Sequence, residues 1–185
     1  MYLRPLEPED LELLYTIEND PSLWDTSNTD APYSRFALKN YIASSASIHE
    51  CGQLRQIIDL SNSSNEPSQP VGMIDLTNYS ALNARAEVGI TLLKAHRGKG
   101  LGSQALQLLE MFAVQRLRIH TLYASISPNN KASLNLFIGN GYKQVATLPE
   151  WQYSQGKYHD MALFMKFLGK RMTKKAKNSR FGLLF

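Results

Sequence analysis

One short segment carries the residues best suited to bind a phosphate group. It is basic and glycine-rich, and it reads Arg97-Gly98-Lys99-Gly100-Leu101-Gly102-Ser103. A helix that begins here has unpaired N–H groups and the positive end of its dipole at this point, and glycines let the backbone approach a bulky anion. The segment therefore predicts a phosphate or pyrophosphate site, with a plain tight connection between two elements as the alternative. Its spacing matches neither the P-loop nor the dinucleotide-binding fingerprint.

The residues on either side of this segment predict the elements that position it. From Ala86 to Leu92 the chain alternates, with Val88 and Ile90 on one side and Glu87 on the other, which is typical of a half-buried strand. After the segment, apolar residues recur at the spacing of a helix that packs on a sheet, at Leu101, Ala105, Leu108, Leu109 and Phe112.

The remaining patterns predict an α+β domain with a mixed sheet. The expected order is one strand, two helices, three strands, a helix, a strand, a helix and two strands. The first helix follows Pro8, and the second is capped by Ser34. The other expected strands cover residues 2–6, 53–60, 71–79, 121–126, 142–148 and 157–168, and a helix after Asn130 ends at residues 139–141.

Four motifs, in order, resemble the GNAT superfamily of N-acetyltransferases. Arg97-x-x-Gly100-x-Gly102 is similar to the coenzyme A signature [RQ]-x-x-G-x-[GA] of that superfamily. The opening Leu3-Arg4-Pro5-Leu6 with Asp10 resembles the branch of ribosomal-protein N-terminal and spermidine acetyltransferases. The other two motifs are Asn130-Lys131-Ala132-Ser133 with Gly141-Tyr142, similar to N-x-x-[AS]…G-[FY], and Gly156 with Asp160, similar to G-x-x-x-D.

The resemblance implies a fold, a domain boundary and a cofactor. The fold is a mostly antiparallel mixed sheet flanked by helices, in a single domain over residues 1–168, with a basic extension at 169–185. The co-substrate is acetyl-CoA. Its pantetheine arm would lie along Ile90, Thr91 and Leu92, and residues 97–103 would hold its pyrophosphate. Asn130 and Ser133 match positions that commonly contact the coenzyme, and a helix cap and an exposed serine are the alternatives.

The implied reaction is transfer of the acetyl group to a primary amine, either of a small polycation or of a protein N-terminus. This reaction needs positioning, stabilisation of an oxyanion and removal of a proton from the amine. Glu87 is the candidate catalytic residue, because it lies on the small, polar side of its strand and can accept that proton directly or through water, or bind a cation. An exposed ion pair with Arg85 or Lys94 is the alternative.

One position departs from the superfamily's pattern. Many relatives carry a tyrosine on the second-motif helix, where it is thought to protonate the departing thiolate, and the matching residue here is Phe137. A phenyl ring can pack against the thioester but cannot donate a proton. Tyr142, Tyr158 or water could supply the acid instead. The departure also motivates a second hypothesis, a coenzyme A-binding regulatory module without turnover.

Composition excludes several classes of protein. The chain has 185 residues, which suits one domain, and a single cysteine, Cys51, so we expect no disulfide framework. The four histidines lack the spacing of metal ligands, so we expect no metal site. No apolar run is long enough to span a bilayer, and no secretion signal begins the chain, which indicates a cytoplasmic protein.

Charge is distributed unevenly along the chain. Residues 1–34 hold eight acids and one base, and residues 170–185 hold six bases and no acid. The acidic segment would attract a cationic acceptor, although solvated helix faces explain it equally simply. The basic tail could contact RNA, but it lacks interleaved aromatic residues, so a nucleic-acid partner is not favoured over a simple extension or a contact in a homodimer.

Overall fold

A seven-stranded sheet forms the centre of the computed structural model, which describes residues 1–24, 31–44, 47–60 and 67–169. The basic tail, residues 170–185, lies outside the described residues. Neighbouring strands are antiparallel except for the fourth and fifth, so the predicted mixed, mostly antiparallel sheet is confirmed. The strand order is β1-β2-β3-β4-β5-β7-β6. The strands are Tyr2–Pro5 (β1), Leu54–Asp59 (β2), Pro70–Ser80 (β3), Arg85–Leu92 (β4), Thr121–Ile126 (β5), Lys143–Ser154 (β6) and Lys157–Phe167 (β7).

Six α-helices accompany the strands in the described part of the chain. Ser34 caps the third helix through its side chain, as predicted, and the fifth helix begins at Leu101. The second and fourth helices were not predicted, because four residues are too few to show a helical period. The helices are Leu11–Glu18 (α1), Pro21–Trp24 (α2), Arg35–Ala43 (α3), Ile48–Cys51 (α4), Leu101–Leu117 (α5) and Lys131–Gly139 (α6).

The last hairpin is longer than the sequence indicated. We expected β6 to end at Leu148, and the next residue, Pro149, cannot donate a ladder hydrogen bond. The strand continues to Ser154 because β6 is an edge strand, and its pairing with β7 shifts register between Leu148 and Gln152. Glu150 adopts a left-handed backbone conformation within this irregularity. The proline is therefore accommodated by a local bulge.

The two faces of the sheet are covered by different helices. On one face α5 packs against the larger core, which includes Ile74, Leu76, Val88 and Leu122, all buried. On the other face α1 and α3 pack through Leu14 and other apolar residues against the β2–β3 region of the sheet, at Ile57 and Met73. Because Glu87 alternates with the buried Val88, its side chain lies on the α1–α3 face.

A buried ionic network joins the start of the chain to the sheet. The Arg4 guanidinium donates to both carboxylate oxygens of Asp10 at 2.7 Å and to Asp59 at 2.9 Å. Asp59 is fully buried, and its second oxygen accepts from the Gln69 N–H group. Hydrogen bonds to Asp10 raise the pKa of Arg4 above its ordinary value against the effect of burial, with a further contribution from Asp59. The network fixes β1, β2 and the start of α1 relative to one another.

Asp59→Asn should therefore destabilise the fold, because it leaves the Arg4 guanidinium only partly neutralised in a buried site. Breaking a buried pair in this way costs about 3 kcal/mol of unfolding free energy. The matched control is Glu12→Gln, which breaks the exposed pair with Arg35 and should leave the urea midpoint nearly unchanged. Equal midpoints for the two variants would contradict a structural role of the network.

Candidate active site

An opening in the sheet lies between β4 and β5. These parallel strands pair only at Arg85–Thr121, Ala86–Leu122 and Glu87–Tyr123, although β4 continues to Leu92 and β5 to Ile126. Beyond the last pair, the two strands present backbone edges that do not bond to each other. An extended ligand can pair with such an edge.

The predicted pantetheine positions lie along this opening. Ile90, Thr91 and Leu92 are half-buried and follow the last β4–β5 pair. Leu92 is five residues from Glu87, which corresponds to about 17 Å at the rise of a strand. An extended arm that starts at the turn after β4 can therefore reach the Glu87 end of the opening. The contact of these three residues with a coenzyme stays a prediction.

The glycine-rich turn lies at the other end of the opening. Gly98 and Gly100 have φ of 74° and 76°, in the left-handed region that favours glycine, and Gly100 precedes α5 without a side-chain cap. Among the described residues, no acceptor takes a hydrogen bond from the N–H groups of residues 98–103. Arg97 folds back and donates from Nε to the Leu92 carbonyl at 2.9 Å, and Lys99 is exposed. The turn thus offers consecutive N–H groups and positive charge to an anion.

Ser103 connects the turn to α6. Its hydroxyl donates to Asn140 Oδ1 at 2.9 Å, and the Asn140 amide donates to the Leu136 carbonyl at 2.8 Å. Gly102 is buried between Leu92 and Leu136, where a Cβ atom would be in ordinary contact with both side chains. The Ser103 hydroxyl therefore holds two helices together, and its N–H group stays available to a ligand.

Asn130 caps α6. A helix cap was the alternative to coenzyme contact in the interpretation of its sequence motif. Its Oδ1 accepts from the Ser133 N–H group at 3.0 Å, and Ser133 itself is half-buried. A capping carbonyl oxygen leaves the two amide hydrogens of Asn130 able to donate elsewhere. Capping and coenzyme contact are therefore compatible, and the second stays a prediction.

Phe137 lies in the core with 3% of its surface exposed, and its ring meets that of Tyr142 edge-to-face at 4.9 Å. Tyr142 is also buried, and its hydroxyl lies beside the Glu110 carboxylate on α5. Burial, and then that negative charge, raise the pKa of Tyr142 far above its ordinary value. The two buried rings pack against each other, so Phe137 contributes to the core. Its contact with a thioester stays a prediction.

Glu87 occupies the point where β4 and β5 separate. One carboxylate oxygen accepts from the Asn78 amide at 2.8 Å, and the other accepts from the Ser125 N–H group at 3.3 Å. Within the described residues Glu87 forms no ion pair, so the exposed pair with Arg85 or Lys94 is absent. The carboxylate bridges the diverging strands and keeps lone pairs with which it can accept a proton.

Sequence reasoning missed the side chains around Glu87. Asn78, Tyr123 and Ser125 come from β3 and β5, and only the register of the sheet brings them to this carboxylate. A signal was present in β5, where Thr121, Tyr123 and Ser125 alternate with buried apolar residues. The strand partner, however, is set by topology, which alternation does not reveal.

A second ionic cluster lies on the same face of the sheet. Arg55 contacts Asp75 at 2.7 Å and Glu18 at 2.7 Å, and its guanidinium lies 5.4 Å from the centre of the Tyr41 ring. Asp75 pairs with Gly89 of β4, where a Cβ atom would be 3.7 Å from the Asp75 carboxylate. Burial raises the pKa of Asp75, while Arg55 opposes that shift. With two acids and one base, this cluster has a formal net negative charge.

Among the described residues, no three His, Cys, Asp or Glu side chains are grouped closely enough to hold a metal ion. The helices in these ranges are all too short or too polar to cross a membrane.

Comparison with known proteins shows the family of the chain. Residues 1–143 match the family described as an acetyltransferase (GNAT) domain. The chain is 23% identical over 161 residues to spermidine N(1)-acetyltransferase of Escherichia coli K12, covering 85% of this chain and 81% of that protein. It is 26% identical over 98 residues to the ribosomal-protein-serine acetyltransferase of the same strain, covering 53% and 55%.

The fold agrees with solved structures as well. Spermidine N-acetyltransferase from Vibrio cholerae, in complex with CoA and spermine, superposes with a TM-score of 0.78 at 20% identity, over 90% of this chain and 94% of that one. The family match covers most of the chain and includes the glycine-rich turn, β4 and β5. The chain therefore belongs to the GNAT acetyltransferase family, and its activity is the acetyl-CoA-dependent N-acetylation of an amine.

Proposed function

We propose that the chain acetylates a primary amine of a small polycation, with a protein N-terminus as the second acceptor class. The observation that carries this proposal is the β4–β5 opening, which has unpaired amide groups at residues 98–103 and the Glu87 carboxylate at its other end. The diphosphate of the coenzyme would bind the turn, and its pantetheine arm would pair with β4. The thioester would then lie beside Glu87.

The reaction follows from this placement. The amine approaches from the α1–α3 face, and Glu87 accepts its proton directly or through water as the new C–N bond forms. Asn78 and the Ser125 N–H group hold the carboxylate in position. Backbone N–H groups along the opening are suited to stabilise the developing oxyanion, and the coenzyme thiol leaves.

Electrostatics favour a cationic acceptor. Glu18, Asp75 and Glu87 contribute three carboxylates to this face, against the two guanidinium groups of Arg55 and Arg85. The first 34 residues add a strong excess of acids along the chain. A field of this sign attracts amines that carry further positive charge. The names of the E. coli relatives, a spermidine and a ribosomal-protein acetyltransferase, agree with the two acceptor classes.

The proposal also covers the location, the oligomeric state and the domain boundary of the protein. A cytoplasmic location fits the lone, exposed Cys51 thiol and the use of acetyl-CoA. A homo-oligomer fits the long edge strand β6, whose Trp151 side chain is 66% exposed, and a dodecamer is described for the V. cholerae enzyme. We place the catalytic domain at residues 1–168 and treat 169–185 as a basic extension.

A thiol-release assay tests the function. Purified protein with acetyl-CoA is assayed against spermidine, 1,3-diaminopropane, a basic peptide and a ribosomal-protein N-terminal peptide. We expect release to be fastest with a polyamine and slower with the peptides. Thermal stabilisation by CoA without release for any amine would instead support the regulatory module that Phe137 suggested.

Gly100→Glu should weaken CoA binding at least tenfold, or about 1.4 kcal/mol, because the new carboxylate would face the diphosphate. The matched control is Gly52→Glu. Gly52 shares a left-handed φ and open surroundings with Gly100 but lies at the end of α4. Titration calorimetry should separate the two variants. If both bind CoA as tightly as the wild type, the turn is not the diphosphate site.

Glu87→Gln should reduce kcat by about a hundredfold and leave CoA affinity intact, since glutamine has the size of glutamate but cannot accept the proton. Glu12→Gln, an exposed site on α1, is the control and should not change kcat. Steady-state kinetics with the best amine provide the measurement. Unchanged turnover in Glu87→Gln would rule out the proton-acceptor role.

A further inference from the structure

α6 carries no tyrosine that could protonate the departing thiolate. Phe137 cannot donate, and Tyr142 holds its hydroxyl beside Glu110, on the α5 side of the sheet. Tyr158 is 63% exposed and contacts Tyr153 near the turn between β6 and β7. Ala162 of β7 pairs with Ile126 at the end of β5, and Tyr158 comes four residues before Ala162. Tyr158 therefore lies beyond the opening.

Tyr123 occupies a better position. It is the register partner of Glu87 in the last β4–β5 pair, and partners in parallel strands present their side chains on the same face. The residue is half-buried, and Asn78, whose amide donates to Glu87, lies on β3, the strand next to β4. Tyr123 and Glu87 thus share one face of the sheet where the opening begins, and Asn78 donates to Glu87 there.

The surroundings keep this phenol protonated. Burial and then the negative charge of Glu87 raise the pKa of Tyr123, against the lowering effects of Arg85 and Asn78. These are the groups that face it from β3 and β4, and its neighbour on β7 is the uncharged Met165. A phenol with a pKa above its ordinary value remains a donor throughout the neutral range.

We propose that Tyr123 donates the proton that the coenzyme thiolate takes as it leaves, in place of a tyrosine on α6. This step rests on the proposed function. The amine nitrogen bonds to the acetyl carbon and its proton passes to Glu87. The C–S bond breaks, and the sulfur takes the Tyr123 hydroxyl proton. The proton held by Glu87 then returns through water to the phenolate, which restores both groups.

Tyr123→Phe tests the donor. It should lower kcat by about tenfold to a hundredfold, with unchanged CoA affinity and an unchanged thermal midpoint. Tyr158→Phe is the matched control and should keep wild-type kcat. Wild-type kinetics in Tyr123→Phe would overturn this inference while leaving the proposed function intact. If the wild type releases no thiol with any amine, both fail together.

A second measurement separates proton donation from packing and is independent of how well Tyr123→Phe folds. Site-specific difluorotyrosine at position 123 keeps the hydroxyl but lowers the pKa of the phenol. The acid would then be lost as pH rises through this lower value, so kcat should fall at mildly alkaline pH, where the wild type remains active. The same substitution at position 158 should have no such effect. Superimposable pH profiles at position 123 would contradict the donor role.

Discussion

The structure depends on the point at which the pairing of β4 with β5 ends. β4 and β5 stay bonded for three residue pairs and then separate, and Glu87 spans the gap by accepting from Asn78 and from the Ser125 N–H group. In a regular parallel pair that N–H group would bond to a carbonyl of the neighbouring strand. Here a carboxylate takes that place, so the sheet can open without leaving the group unpaired. One side chain thus satisfies the backbone and is also the base of the proposed reaction.

The remaining architecture keeps this opening in shape. The larger core behind it packs α5 against the sheet, and α5 in turn fixes the glycine-rich turn at one end. The Ser103–Asn140 contact joins α5 to α6. On the other face, Arg55 of β2 binds Glu18 of α1 and Asp75 of β3. These contacts position this ionic cluster beside Gly89. The two ends of the opening are therefore positioned by separate sets of contacts.

Much of the fold was predictable because it is encoded locally. Alternation defined β4 and β5, glycines marked the turn, and Ser34 and Asn130 marked helix starts that the structure confirms. The extension of β6 beyond Pro149 was not predictable, since tolerance of a proline depends on the strand being at an edge. The short helices α2 and α4 lacked the length to show a period.

The candidate site was likewise predictable only in part. The turn and Glu87 were identified from local sequence, whereas Tyr123 and Asn78 meet Glu87 only through the order and register of three strands. The α6 helix could be compared with relatives by motif, but the burial of Phe137 against Tyr142 depends on packing that no motif records. Local chemistry was therefore visible in the sequence, and the proton pathway that we propose was not.

The most direct measurement of the central claim is a crystal structure of the protein with bound CoA. We expect diphosphate oxygens within hydrogen-bonding distance of the N–H groups of residues 98–103, the pantetheine arm paired with β4, and the sulfur close to Glu87 and Tyr123. A coenzyme bound elsewhere at full occupancy, with β4 and β5 still open and empty, would contradict it.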